Sequence, residues 1–449
     1  MNNTPLPERR IGLLQATAIN MIDMIGIGPF VVLSVVAQTM QGPGFLYAWI
    51  AGAFLSYIDA MTWSQLGSTF PLAGGSYNFL KEGFGPRWGK LMSFLFVWQT
   101  MIQAPLVLAS AAIGFSQYAG FLWPGVPPKI FSGGLVVGVV ILLYRKTESV
   151  GKISVLLWCG VLLTLGWVIG AGLWHGHFSA PVLHMNDGLN LNQAFAAAIG
   201  FASVKTIYSY LGYYNVCHLG GEIINPEKNI PRSMFISITG IAVLYLAMNI
   251  SVASVLPMHQ IQTSRFVVSE FIQSLYGPGA ARVITLMVLW VAFASIFSAT
   301  LGYSRIPYAA ARDGAFFSVF ARLHPTKKFP YVSLLALGAV AFVFSMLFRL
   351  KEVIEGILAM RILIQFIGQG IGLLLLVRSR GLNFFKWRMP LFPVPAVLGI
   401  LLWLFIFYST GIAMMLSGLT VITAGLIAFL IKSRLKKQWP WKDTDATRL

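Results

Sequence analysis

The sequence predicts an all-α polytopic membrane protein with twelve transmembrane helices: two inverted five-helix repeats and two helices added after them. Three observations carry that prediction. Hydrophobic residues make up 57% of the 449 and charged residues only 10%, far from the roughly 25% charge of a soluble domain. Twelve apolar runs follow one another with short polar connections, most of them near the ~20 residues that cross a bilayer as a helix. Two of those runs, the first and the sixth, are interrupted by glycine.

The first run, Gly12 to Ala37, breaks at Ile25-Gly26-Ile27-Gly28-Pro29-Phe30. It is too long for the apolar region of a signal peptide and has no clear cleavage site, so it is expected to stay as a helix. Runs two to five are Gly44 to Thr69, Trp88 to Leu122, Ile130 to Tyr144 and Ile153 to Trp174. The sixth, Gln193 to Leu219, breaks at Tyr210-Leu211-Gly212-Tyr213-Tyr214-Asn215. Ser233 to Leu256, Ala281 to Ala311, Tyr331 to Phe348 and Val353 to Val377 follow, and Val394 to Phe407 and Gly411 to Ile431 close the series. The fourth and eleventh runs are short for a span.

Backbone leaves the helix at membrane depth only where protein or a wet cavity satisfies its freed N–H and C=O groups, so each break predicts an internal binding pocket. Five spans separate the breaks. Because five is odd, the second copy enters from the opposite side, which makes the repeats inverted and brings both breaks near the midplane. The expected divisions are a cytoplasmic tail (1–11), the first repeat (12–175), the second (193–379), helices eleven and twelve (390–434) and a basic tail (435–449). The Pro257 to Ala280 connection, predicted external, has room for a short interfacial helix.

A net charge of +18 might suggest nucleic acid, but the placement of the basic residues argues otherwise. With the N-terminus inside, 25 of the 32 Lys and Arg fall in inside segments. Five lie outside (Lys129, Arg265, Arg282, Arg349 and Lys351), and Lys205 and Arg361 lie within spans. That bias predicts cytoplasmic N- and C-termini in a cell inner membrane. Lys432, Arg434, Lys436 and Lys437 then serve as an anchor against anionic lipid. Cys159 and Cys217 fall inside spans and are expected to pack as small residues.

At the first break, a half-helix starting near Pro29 would aim its N-terminal amides at the pocket, a favourable place for a carboxylate, with Ile27, Gly28 and Phe30 as donors. At the second, Tyr210 and Tyr213 flank Gly212, where an aromatic ring would close over a ligand or simply pack. Ionisable groups inside spans are expensive and therefore functional candidates. They are Asp23, one turn before Gly26; Lys205, two turns before Gly212; Asp59 in span two; and Arg361 in span ten. Inverted repeats would bring Asp23 and Lys205 together as an ion pair or proton relay; alternatively each bonds a neighbouring carbonyl. Arg361 and Gln365 share a helical face and are expected to tie span ten to a neighbour, and His218 lies just past the second break. The chain has no H-x-x-x-H pair, G-x-S-x-G elbow or P-loop, which removes the usual hydrolase and ATP-driven pump signatures. No cofactor or metal is expected.

Four stretches resemble the amino acid, polyamine and organocation transporter superfamily, over nearly the whole chain. They are Ile25 to Phe30; Pro71-Leu72-Ala73-Gly74-Gly75-Ser76-Tyr77; Gly212 through Glu222 to Asn225-Pro226-Glu227 and Pro231-Arg232; and Ser304-Arg305-Ile306-Pro307-Tyr308 to Ala311-Arg312-Asp313-Gly314. The resemblance implies a LeuT-like inverted repeat and an amino acid permease. The substrate α-carboxylate would meet Ile25, Gly26, Ile27, Gly28 and Phe30, and its amine would face carbonyls around Tyr210, Leu211 and Gly212, with Tyr213 as the gating aromatic. Ser295 and Ser298 stand where relatives build a sodium site. Three departures stand out. Pro29 removes one amide, Asp23 places an acid where the pattern is uncharged, and span five has no lysine near Gly160 or Val161, Lys152 being too near its cytoplasmic end. The expectation is a secondary transporter of a small amino acid or related amine working by alternating access. Its coupling ion would be H+ through Asp23 and Lys205, with Na+ as the alternative ion. A polyamine or organic-cation exchanger and a transport-fold substrate sensor are the rivals.

Overall fold

The computed structural model describes residues 9, 11–40, 42, 44–72, 74–144, 150–176, 180–184, 192–327 and 329–441. Most of the 1–11 tail, Arg10, Ala73, much of the Trp174 to Asn192 connection and the end of the basic tail lie outside the described residues, as does the side chain of Lys152. The described residues are helical, with one isolated bridge, Ile11 to Ile223, in place of any strand.

In chain order the helices are α1 (Leu13–Met24), α2 (Gly28–Met40), α3 (Phe45–Thr69), α4 (Ser76–Gly83), α5 (Gly85–Leu122), α6 (Pro128–Leu143), α7 (Val150–His175), α8 (Ala180–Leu183) and α9 (Gln193–Tyr210). Then come α10 (Asn215–His218), α11 (Pro226–Ala253), α12 (Met258–Thr263), α13 (Val267–Arg312), α14 (Tyr331–Leu347), α15 (Leu350–Arg361), α16 (Gly368–Arg380), α17 (Val394–Ser409) and α18 (Ile412–Leu435). Each of the twelve predicted runs coincides with a helix or a helix pair. Seven helices among the described residues are long and apolar enough to cross a bilayer, or eight when the bent pair α1 and α2 is counted as one. Helices α6, α14 and α17 are shorter apolar helices.

Both predicted interruptions are present. The α1 ladder ends when Ile25 N bonds Met21 O at 2.9 Å, and the chain restarts at Gly28 bent by 50°. Helix α9 stops at Tyr210, Leu211 is extended, and Gly212 takes φ 124°, a left-handed value that only glycine adopts without strain. A third interruption escaped the sequence: between α15 and α16 the backbone winds as a π-helical turn, Ile362–Ile367, directly after Arg361. Such turns often sit at functional sites. Gly277, at φ 82°, splits α13 into a short leading segment and a long span, so the Pro257 to Ala280 connection is helical as expected.

Packing follows the fivefold offset. Helix α3 lies along α11, α5 along α13, α6 along α14, and α1–α2 against α9–α10, so four of the five pairs of spans five apart in sequence are neighbours, while α7 packs mainly on α11 and α13. Glycine allows the closest approaches. A Cβ on Gly52 of α3 would meet Thr206 Oγ1 at 2.8 Å and the Tyr210 ring at 3.0 Å, both on α9. Aromatic stacking fixes the interior, with Trp63 on Tyr214 (ring centroids 4.4 Å apart) and Phe366 on Trp403 (4.0 Å). The outward faces of α17 and α18 are apolar and exposed, as at Leu401, Leu416, Ile427 and Ile431. Such a belt is stable against hydrocarbon and would be a liability in water.

Candidate functional site

The two breaks touch. A Cβ on Gly212 would sit 2.8 Å from both Asp23 C and Met24 N, so the second break lies directly on the backbone of the first. Two side chains hold them there. The Tyr245 hydroxyl, from α11, lies 2.7 Å from Met24 O and 3.0 Å from Ser209 O, so its one proton is shared between a carbonyl from each side of the contact. Asn20 Oδ1 accepts from Val216 N at 2.9 Å, which caps α10 from α1. Buried carbonyls and amides without partners would each cost about 1–3 kcal/mol, and these two residues remove part of that cost.

Two amides of the first break are left without an acceptor among the described residues. Ile25 N, Gly26 N and Phe30 N have backbone acceptors, at 2.9, 3.0 and 3.2 Å respectively. No acceptor for Ile27 N or Gly28 N exists among the described residues. Of the three donors expected from sequence, Ile27 and Gly28 therefore keep their amides free, and Phe30 does not. Its N–H closes the first turn of the new half-helix.

Beside these amides lies a cavity of about 40 Å³ whose wall includes Asp23, Gly26, Gly28, Leu211, Gly212, Ser295, Tyr208, Tyr214, Tyr303 and Arg361. A second, smaller cavity shares Asp23, Tyr214 and Tyr303 and continues to His218 and Ser298. Asp23, Gly26, Gly28, Leu211, Gly212 and Ser295 thus meet around one space, with Ser298 in the adjoining one. Ile25, Ile27, Phe30, Tyr210 and Tyr213 do not line it with their side chains. Ile27 packs against Gly114 of α5, the Phe30 ring is buried with its carbonyl accepting from Tyr118 at 3.0 Å, and Tyr210 sits between Trp49 and Tyr245. The Tyr213 hydroxyl donates to Asp59 Oδ2 at 2.5 Å.

Of the four intramembrane charges named from sequence, three have side-chain partners and Asp23 faces the cavity. Lys205 does not meet Asp23. Its ammonium donates to Glu355 Oε1 of α15 at 2.5 Å, both side chains being largely buried. Pairing is the ordinary remedy for two buried charges, and Glu355 lies inside predicted span ten, where the same rule that singled out Lys205 applies to it. Asp23 makes no hydrogen bond to another described side chain and faces the cavity. Asp59 accepts from Tyr213 and, at 3.0 Å, from Trp403 Nε1 of α17. Helix α17 therefore braces the second break through Trp403 and Asp59.

Arg361 does more than tie span ten to a neighbour. Its guanidinium donates to the Tyr214 hydroxyl and, at 2.5 Å, to the Tyr303 hydroxyl of α13, and it also forms part of the cavity wall. Tyr214 and Tyr303 line both cavities, so this cation holds two rings where the spaces adjoin. Sequence reasoning missed Tyr208, Tyr214, Tyr245, Tyr303 and Glu355. Tyr214 and Tyr303 were accessible, since one belongs to the broken run and the other immediately precedes the Ser304-Arg305 motif. Nothing marked Tyr245 beyond an ordinary aromatic in an apolar helix.

Backbone pairing also ties the chain just before α1 and just before α4 to the stretch that follows the second break. Ile11 N donates to Glu222 O (3.0 Å), Ile224 N to Ile11 O (2.9 Å) and Gly74 N to His218 O (3.1 Å). Cys217 is buried with its thiol directed at Trp63 O, Cys159 lies on the outward face, and no group of three metal-ligating side chains forms among the described residues.

A profile of the amino acid permease family matches residues 11–431. The serine/threonine exchanger SteT of Bacillus subtilis (strain 168) is 25% identical, covering 96% of this chain and 98% of its own. The methylthioribose transporter of the same bacterium is also 25% identical, covering 95% and 94%. Human Asc-type amino acid transporter 1 is 28% identical, covering 75% of this chain and 65% of its own. The profile runs from the residue before Gly12 into α18 and takes in both breaks and the cavity between them, so the chain belongs to the amino acid permease family, as a multi-pass membrane transport protein and not an enzyme.

Proposed function

We propose that this permease moves a small neutral amino acid by alternating access, binding it in the cavity between the two breaks. The observation that carries this is the free amide of Gly28, a residue of the wall of a cavity of about 40 Å³, with the free amide of Ile27 next to it at the start of the half-helix. Each water needs roughly 10–15 Å³ of such space, so the cavity holds about three water-sized groups. That restricts the occupant to a small molecule and leaves no room for a long chain. The helix terminus favours the carboxylate, and the carboxylate of Asp23 favours the ammonium. Arg361 in the same wall opposes a polyamine or organic cation, which makes that reading the weaker one. Two of the named relatives carry amino acids by their printed names, which supports the same substrate class.

The topology that goes with this is twelve spans, N- and C-termini cytoplasmic, the first repeat over 12–175 and the second over 193–379. The packing of helices five spans apart supports it. Coupling to a proton would run through Asp23, the cavity's one carboxylate among the described lining residues, without Lys205, which is engaged by Glu355. The test is uptake of labelled L-serine or L-alanine into proteoliposomes, with and without an imposed pH gradient. Uptake driven by the gradient and abolished as a driven process in Asp23→Asn supports the proton route. Equal rates with and without the gradient, and an Asp23→Asn variant like the parent, would leave exchange or facilitated transport in its place.

A further inference from the structure

We propose that a third cavity, at the basic end of the bundle and lined by neither break, is a binding site for the phosphate headgroup of an anionic glycerophospholipid. It is larger than the transport cavity, about 230 Å³, and lies between α4, the start of α5, the turn after α13 and the end of α18. Lys81, Lys90 and Lys432 converge on it, against one carboxylate, Asp313, whose charge is engaged by the Tyr77 hydroxyl. Neither Lys81 nor Lys90 has a carboxylate partner among the described residues. Lys432 is held in place by Gly314 O (3.2 Å) and Ala315 O (2.5 Å), which occupy two of its three donors and leave one. Three ammonium groups converging on one concave space, with too few acceptors of their own, call for a polyanionic ligand.

The surroundings choose a lipid over a free phosphate ester. Ile427, Ile431 and Leu435 are 53, 57 and 80% exposed and lie four residues apart on α18, so an apolar strip runs directly past the cavity-lining Lys432. Trp439, in the cavity wall, stands edge-on to the exposed Trp88, with ring centroids 5.4 Å apart. Tryptophan at headgroup depth, basic residues behind it and an apolar track beside it together match one amphiphile: a charged head in the cavity and acyl chains along α18.

The experiment is native mass spectrometry of the full chain, delipidated in neutral detergent and titrated with dioleoylphosphatidylglycerol, dioleoylphosphatidylcholine or glycerol 3-phosphate. The expected result is one tightly retained phosphatidylglycerol, at least about tenfold preferred over phosphatidylcholine. Lys81→Gln with Lys90→Gln removes that preference, whereas Lys228→Gln with Lys386→Gln, exposed lysines outside the cavity, keeps it. A photoreactive phosphatidylglycerol on the unaltered protein should label the Gly314–Phe316 turn or the Ser433–Trp439 stretch, which keeps the test decisive if a variant folds poorly. Equal retention of the two lipids, equal loss in both lysine pairs, or labelling confined to other surfaces overturns the proposal. Displacement of the lipid by millimolar glycerol 3-phosphate would assign the cavity to a soluble phosphate ester instead.

Discussion

The two breaks solve the same problem by opposite means. At the first, three residues leave the helix and their side chains turn away into the core, so the ligand-facing surface is backbone kept bare by Gly26 and Gly28. At the second, the backbone is forced by one glycine in a left-handed conformation and then braced by side chains. Tyr213 holds Asp59, Tyr214 holds Arg361, and through them α3, α13, α15 and α17 all reach the same four residues. Under the proposed function, the difference reads as a division of labour: the first break would recognise the substrate, and the second would link recognition to the helices that move.

The largest effect expected from that division is at Gly212. An alanine there would have to hold φ 124° with its Cβ 2.8 Å from the backbone of Asp23 and Met24. Rigid backbone cannot give way, so Gly212→Ala should cut uptake about a hundredfold or more and reduce the yield of folded protein in size-exclusion chromatography. Normal uptake would show that the second break does not need this geometry.

Arg361→Gln comes next. It leaves Tyr214 and Tyr303 without their shared donor at the junction of the two cavities, and the expectation is a turnover loss of about thirtyfold with substrate affinity changed less than threefold, a split that separates movement from recognition. A loss of affinity with turnover intact would place Arg361 on the substrate instead. Gly28→Ala should be milder, because its Cβ would meet the far ends of side chains, Ser209 Oγ at 2.9 Å and the Tyr208 ring at 3.1 Å, which can shift. Apparent affinity should weaken about tenfold, or ~1.4 kcal/mol, with folding unchanged. The smallest effect is expected from Asp59→Asn, which still accepts from Tyr213 or Trp403, and uptake should fall about threefold.

The sequence carried the spans and the location of the breaks because both depend on short-range properties: run length, hydropathy and glycine. Gly26, Gly28, Leu211, Gly212 and Asp23 were legible for that reason. The partners were not. Lys205 and Asp23 sit at matching distances from their breaks, which suggested a pair, but which face of a half-helix points at which neighbour is set by rotation in the assembled bundle, and α9 turns Lys205 toward α15. Tyr245 and Trp403 are likewise aromatics in ordinary apolar helices until the fold places a free carbonyl or a carboxylate opposite them. The π-helical turn after Arg361 has no glycine or proline signal within Ile362–Ile367 and comes from packing.

The claim most exposed to test is that free backbone amides at the first break bind the substrate carboxylate. Purified protein should be measured by competition of L-serine, L-alanine and their methyl esters against labelled L-serine, using the parent and Gly28→Ala. The account predicts that the acids compete, that the esters fail by about a hundredfold or more because they offer no carboxylate charge to the half-helix terminus, and that Gly28→Ala narrows this gap. Esters that compete as well as the acids, in parent and variant alike, would contradict it.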